Sequence, residues 1–390
     1  MTAPLVGLSL QDAPDFLYAT LPLFEAGEVD LVEHSFDTGW TAHGESPWLR
    51  ALVDDFAAQG RLLGHGVHFS ALSADDDARQ TAWLELLRAE CGRRAYLHLS
   101  EHFGFMTAGS FHAGPPLPVP LTNEAIRLGQ DRLRRMHDIA DLPVGLENLG
   151  FAFGPADVAE QGRFLREILE PVGGFLLLDL HNLYCQSANF GCTLPDLLHT
   201  YPLDLVREIH LSGGSWSHPG GGPPFRRDTH DDRVPQEILG ALPDAIAACP
   251  QLRCVILERL GGTLPGADAQ QQFRAEFQTI RALVARAPAP GSRPPCPLQR
   301  PPAPVGDDAP LRDFQTALLT LLDSGLPVVE IHAQLQTAAA FRPWRDYVAA
   351  FDLRALETAC TLLAKWGRHT ARNPADWHFL RGESGGLAAK

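Results

Sequence analysis

Two histidines and an aspartate fall within one short span of this 390-residue chain. His210 lies in "EIHLSGG" (208–214), and Asp228 and His230 lie in "DTHDDRVP" (228–235), beyond a Gly/Pro-rich loop. Imidazole nitrogens and carboxylate oxygens are the usual ligands of divalent metal ions. Similar residues close other short apolar runs: His65 and His68 in "LLGHGVHFS", His98, Glu101 and His102 in "RAYLHLSEHF", and Glu147 with Asn148 in "PVGLENL". Asp179, His181 and Asn182 follow in "GFLLLDLHNL", and Glu258 in "CVILERL". With 47 acidic residues and 16 histidines in the chain, one such residue at a run's end is unremarkable, but six successive runs that each carry one are not.

Converging carboxylates are costly to bury, by at least several kcal/mol per ion, unless positive charge compensates them. A divalent metal supplies that charge. No cysteine is among the candidates, so mixed nitrogen and oxygen ligands suit Fe, Mn, Co or Zn better than Cu(I) or an iron–sulfur cluster. About ten candidate ligands exceed the four to six positions around one ion, which points to two or three ions close together.

Such residues need a scaffold that brings them together. Strand-like runs occur at 5–10, 29–36, 62–70, 94–103, 143–149, 174–183, 206–213 and 254–260, and most are separated by segments with helical apolar spacing such as "SPWLRALVDDFAAQ" and "NEAIRLGQDRLRRMHDIA". Eight alternating units over residues 1–286 predict an α/β fold, a (β/α)8 TIM barrel whose chemistry sits at the C-terminal ends of its strands. An open doubly wound sheet is the alternative, weakened by the lack of a GxGxxG turn after the first strand. Residues 287–309 are rich in proline and read as a linker. Helical periodicity returns from 310, which predicts a small, separately packed helical domain over 310–390 with a frayed C-terminus.

A net charge of −15 argues against nucleic acid or an anionic membrane surface as partner. No apolar run reaches the roughly 18 residues of a membrane span, and the N-terminus lacks a secretory pattern, so the chain reads as cytoplasmic. The seven cysteines are scattered without a CxxC pair, and most read as buried hydrophobes.

Each candidate also has a plainer reading. His68 and His98 fit satisfied core histidines, and Glu101 could orient His102. Glu33 and His34 close the second run and could line the mouth. Asp231 and Asp232 read as solvated charges or helix N-caps. His112, His137, His199, His218, His332 and His369 have no converging partner and are assigned no role.

"LGHGVHFS", "LSEHF", "GLENL", "LLLDLHNLY", "EIHLSGG", "DTHDDRVP" and "ILER", in this order, resemble the multinuclear non-heme iron-dependent oxidative enzymes. The resemblance spans residues 1 to about 285. It implies a (β/α)8 barrel holding two or three irons in mixed ferrous and ferric states, with dioxygen as cosubstrate. It also implies action on a ribosomal precursor peptide, often at cysteine, as in methanobactin-type, thiazole- or oxazolone-forming and carbon-excising members. The ligand positions it implies are His65, His102, Glu147, Asp179, His181, His210, Asp228, His230 and Glu258. Asn148, Glu101, His98, Asn182 and His68 are further ligands or supports. Members often depend on a leader-binding partner protein, and 310–390 could be that partner fused in cis, or a capping or dimerisation domain. The usual Glu-Asn-Pro is "ENL" here, the common Asp-x-Asn-Asn is "DLHN", and Phe105 stands where Trp is frequent. A divalent-metal barrel isomerase or phosphoesterase, and a non-catalytic metal-binding protein, are the competing readings.

Overall fold

The apolar runs form eight short parallel strands: β1 (Leu5–Ser9), β2 (Leu31–His34), β3 (Leu62–Gly66), β4 (Leu99–His102), β5 (Val144–Glu147), β6 (Phe175–Asp179), β7 (Val206–Leu211) and β8 (Cys254–Leu257). The computed structural model describes residues 3–40, 44–112, 115–287, 308–366 and 368–369. Most of the predicted linker and the segment beyond 369 lie outside them. The strands pair in sequence order, and β1 closes the ring on β8, with Leu5 opposite Cys254 and Leu8 opposite Leu257. One long helix follows each strand: α1 (Pro14–Glu25), α2 (Pro47–Ala58), α3 (Ala78–Arg93), α4 (Asn123–Ala140), α5 (Pro155–Leu169), α6 (Leu180–Phe190), α7 (Gln236–Ala248) and α8 (Gly266–Arg286). This is the closed α/β barrel that the alternation predicts. No helix among the described residues is long and apolar enough to cross a membrane.

Successive side chains of a strand point to opposite faces. One set packs against the helices in a large apolar cluster. Leu31, Leu63, Cys254 and Ile256 form a separate small cluster that makes an apolar floor within the ring. Ser9, Glu33, His65, His102, Glu147, Asp179 and His210 occur at the strand ends, where the helix-bearing loops begin. Asp231 and Asp232 do not cap α7, whose N-cap is Pro235, and they remain on an exposed loop.

Beyond the barrel come α9 (Ala309–Leu322), α10 (Val328–Thr337), α11 (Arg345–Ala349) and α12 (Leu353–Trp366). These helices share one continuous apolar cluster with the barrel instead of forming a core of their own. They seat on loops at the C-terminal ends of the strands. Gln315 donates to Leu72 O and accepts from Ala74 N, at 2.7 and 2.8 Å. Tyr347 donates to Asp157 at 2.9 Å, and Phe351 stacks on Phe153 with ring centroids 4.4 Å apart. Phe351 is 5% exposed, so truncating it opens a cavity at this seam. Phe351→Ala should destabilise the protein by about 3–5 kcal/mol in chemical denaturation. A loss below about 1 kcal/mol would mean that the helices are not anchored there.

Candidate metal centre

Three groups of ligand atoms form a row across the barrel mouth: His65, His102 and Glu147; Glu147, Asp179 and His210; and Asp179, His230 and Glu258. Within each group the ligand atoms lie within 4.8 Å of one another. Neighbouring groups share a carboxylate, first Glu147 and then Asp179. Glu147 Oε2 is 3.5 Å from His65 Nε2 and 3.4 Å from His102 Nε2, while Oε1 is 3.9 Å from His210 Nδ1. Glu258 lies 3.3 Å from both His210 Nδ1 and His230 Nδ1. His65, Glu147, Asp179 and His210 are buried, whereas the His102, His230 and Asp228 side chains keep 22–27% exposure and form the rim.

Local structure aims each of these groups. Ser100, two residues before His102 on the same face of β4, meets His65 Nδ1 at 2.9 Å and leaves Nε2 towards the centre. Asp179 ends β6 and caps α6: its Oδ1 accepts from Asn182 N at 2.6 Å, so Oδ2 is the oxygen left for the mouth. Asn148 grips the Asp179 backbone, accepting from its N–H at 2.7 Å and donating to its carbonyl at 3.1 Å. Asn182 donates to Asn148 O at 2.8 Å. These two asparagines are positioned as supports of Asp179 and Glu147.

Gly213 and Gly214 explain the "SGG" after His210. A Cβ on Gly213 would sit 2.0 Å from Arg233 O, and one on Gly214 would sit 2.2 Å from Arg227 O. Only glycine lets the 227–233 segment close over β7 and deliver Asp228 and His230 to the rim. His230 itself takes a left-handed conformation, φ 50°, and its carbonyl accepts from Leu260 N.

Other predicted residues are not brought into the row. Both nitrogens of His181 are committed: Nδ1 lies 2.9 Å from Asp228 Oδ1, and Nε2 faces Arg226 Nη2 at 3.2 Å. Glu101 points away from the mouth and accepts from Phe69 N and His102 N. His68 is held through its backbone, donating to Asp37 and accepting from Arg79. His98 lies deeper, 2.8 Å from Glu208. His34 belongs to a structural network with Glu45 and Tyr96. Asp228 bridges His181 and His230, at 2.9 and 2.8 Å.

The electrostatics ask for a cation. Burial raises Glu147 well above the usual carboxylate range and pushes Asp179 up to about 7, with neighbouring carboxylates adding to both shifts. Burial also lowers His65 well below its ordinary value and His102 to about 4. His210 and His230 go the other way: burial opposes their charge, but the surrounding carboxylates outweigh it. Among the described residues no lysine or arginine pairs with Glu147, Asp179 or Glu258, and Asp179 Oδ2 is buried without a hydrogen bond. A row of carboxylates and imidazoles with such an orphaned oxygen fits divalent metal ions.

Residues 25–285 match the model of the RiPP precursor modification enzymes MbnB/TglH/ChrH, which act on ribosomally synthesised, post-translationally modified peptides. The chain belongs to this family. A UPF0276 protein of Caulobacter vibrioides is 31% identical over 175 residues, covering 45% of this chain and 60% of that protein. Another from Pseudomonas aeruginosa is 30% identical over 211 residues, 52% of this chain and 69% of that protein. The solved IolI protein with a binding zinc atom superposes with a TM-score of 0.50 at 13% identity, over 73% of this chain and 99% of that one, a likeness of fold alone.

Within the MbnB/TglH/ChrH family frame, the "ENL" departure has a local compensation. Leu149 N donates to Gln161 at 2.9 Å, a bond that proline could not make. Two buried carboxylates beside the row were undervalued or missed by sequence reasoning. Glu33 Oε2 lies 3.1 Å from His210 Nε2, and Glu208 Oε1 lies 3.6 Å from the same atom. The signal for Glu208 was its spacing, two residues before His210 on one face of β7.

Proposed function

We propose that this enzyme uses two or three iron ions and dioxygen to modify a ribosomal precursor peptide oxidatively, at cysteine. The single observation that carries this reading is the row of three ligand groups joined through Glu147 and Asp179, which suits adjacent ions sharing carboxylates. His65, His102, Glu147, Asp179, His210, His230 and Glu258 would hold the ions, with Asp228 at the rim beside His230. Bound there, iron would supply the redox chemistry by which dioxygen oxidises the peptide's cysteine.

The chain's own residues perform the rest. The buried side of the row excludes water, and the partly exposed rim of His102, Asp228 and His230 leaves one side open to a peptide. Asn148 and Asn182 hold the shared carboxylates in place, and His181 with Arg226 holds Asp228. Helices α9–α12 flank the same mouth. A cleft of about 510 Å³ lined by Asp157, Arg163, Arg342, Trp344 and Tyr347 is where the peptide leader would be recognised in cis.

The iron-loaded protein, incubated with a cysteine-containing precursor peptide, should change the peptide's mass and consume dioxygen, and anaerobic samples should not. An unchanged peptide in the presence of a verified iron centre and oxygen would contradict this reading.

Metal uptake must expel protons, because Asp179 sits at about 7 and the coordinating imidazoles must be neutral. A raised carboxyl pKa means that acid favours the protonated, metal-free form. Retention measured by dialysis should therefore fall as the pH drops from about 8 to about 5. Constant retention across that range would be inconsistent with these ligands.

A further inference from the structure

The row rests on a buried polar column, and we propose that Glu33, backed by Glu208, is a positioning residue that accepts a hydrogen bond from Nε2–H of His210 and so commits Nδ1 of that imidazole to metal. This rests on the reading that the mouth holds metal ions. His210 is fully buried, and its two nitrogens face different partners. Nδ1 looks into the row, 3.3 Å from Glu258 and 3.9 Å from Glu147. Nε2 looks down the barrel axis, 3.1 Å from Glu33 on β2 and 3.6 Å from Glu208 on β7. A ligating imidazole that donates its other N–H to a carboxylate is fixed in tautomer and ring orientation.

The residues below assign the protons. Arg207 Nε lies 3.1 Å from His98 Nδ1, and a guanidinium can only donate. His98 therefore carries its own proton on Nε2 and donates it to Glu208 Oε2 at 2.8 Å. With both nitrogens used, His98 is not open to an ion, although it lies near Glu208 and Cys254. Glu208 Oε1 is left beside His210, so two acceptors and no donor surround Nε2. Glu33 and Glu208 are both 0% exposed, and among the described residues no arginine or lysine pairs with either. A barrel interior built only for stability would place apolar side chains at such positions.

The test is cobalt(II) titration of the full chain, followed by visible absorption, with near-UV circular dichroism as the check on folding. Glu33→Leu removes the acceptor and should weaken cobalt binding about 10–100-fold and change the ligand-field spectrum. Glu33→Gln, whose carbonyl oxygen still accepts, should recover most of both. If the leucine variant does not fold, Glu33→Asp, with the carboxylate drawn back by one methylene, should shift affinity and spectrum in the same direction. Wild-type affinity and spectrum in the variant that removes or retracts the acceptor would overturn the inference. So would loss of one whole metal equivalent with the remaining spectrum unchanged, because Glu33 would then be a ligand itself. A wild-type chain that takes up no cobalt would overturn the metal reading, and this inference with it.

Discussion

Glu147→Gln should strip the barrel mouth of the ions held by the two ligand groups it joins, while leaving the metal-free protein at least as stable as wild type. Glu147 is 3% exposed and stands between His65, His102 and His210, so it belongs to two of the three ligand groups. Glutamine keeps the shape but loses the charge that holds neighbouring ions. Metal affinity should fall by at least about 100-fold, the upper end of what loss of a mere supporting partner costs. The stability effect has the opposite sign. Burial holds the Glu147 carboxyl well above its ordinary range, so at neutral pH the metal-free fold carries the strain of ionising it or keeping it protonated. Removing that group relieves the strain, as happens for residues arranged for function at the expense of stability. Metal analysis and thermal unfolding in chelator check both halves. Wild-type metal content, or a lower melting temperature in chelator, would show that Glu147 is structural.

Gly214→Ala should cost the centre its rim. The new Cβ would lie 2.2 Å from Arg227 O, 2.8 Å from His181 Cε1 and 3.0 Å from Thr229 N, and two of these three atoms are backbone that cannot swing aside. The 227–230 segment must move, taking Asp228 and His230 with it. The His65, His102 and Glu147 group lies across the mouth and should survive. The expected result is loss of about one metal equivalent and a fall in turnover on the order of 100-fold, since displacements of about 1 Å have that effect. Gly240→Ala, where nothing lies within 4 Å of the added carbon, is the control and should be silent. Full metal content and turnover in Gly214→Ala would refute this account of the glycine pair.

The convergence of these side chains was legible because β-strands impose a strict period. His65, His102, Glu147 and His210 sit at the ends of apolar runs, and a barrel has one place for such ends to meet. The sequence is a poorer guide where the period changes or where a polar side chain lies below the strand tip. His181 was read as a strand-end ligand, but the chain enters α6 at Leu180, and helical rotation turns the imidazole away from Asp179 towards Asp228 and Arg226. Glu101, which the sequence left open as a support of His102, alternates with it and faces the other side of β4, accepting from His102 N. Glu33 was legible at the end of its run, but Glu208 lies two residues before His210 inside the ring, at a depth where an apolar side chain is the ordinary expectation. The C-terminal helices were visible as helices, but nothing in their local periodicity shows that Phe351 stacks on Phe153 or that they share the barrel's core.

The central claim is that the mouth is a multinuclear iron centre. Metal analysis of anaerobically purified protein, joined to Mössbauer spectra of an iron-57 sample, tests it most directly. The account predicts two or three irons per chain in mixed ferrous and ferric states. Zinc or manganese alone, with activity indifferent to the removal of dioxygen, would contradict it and make the protein a divalent-metal barrel enzyme of another kind.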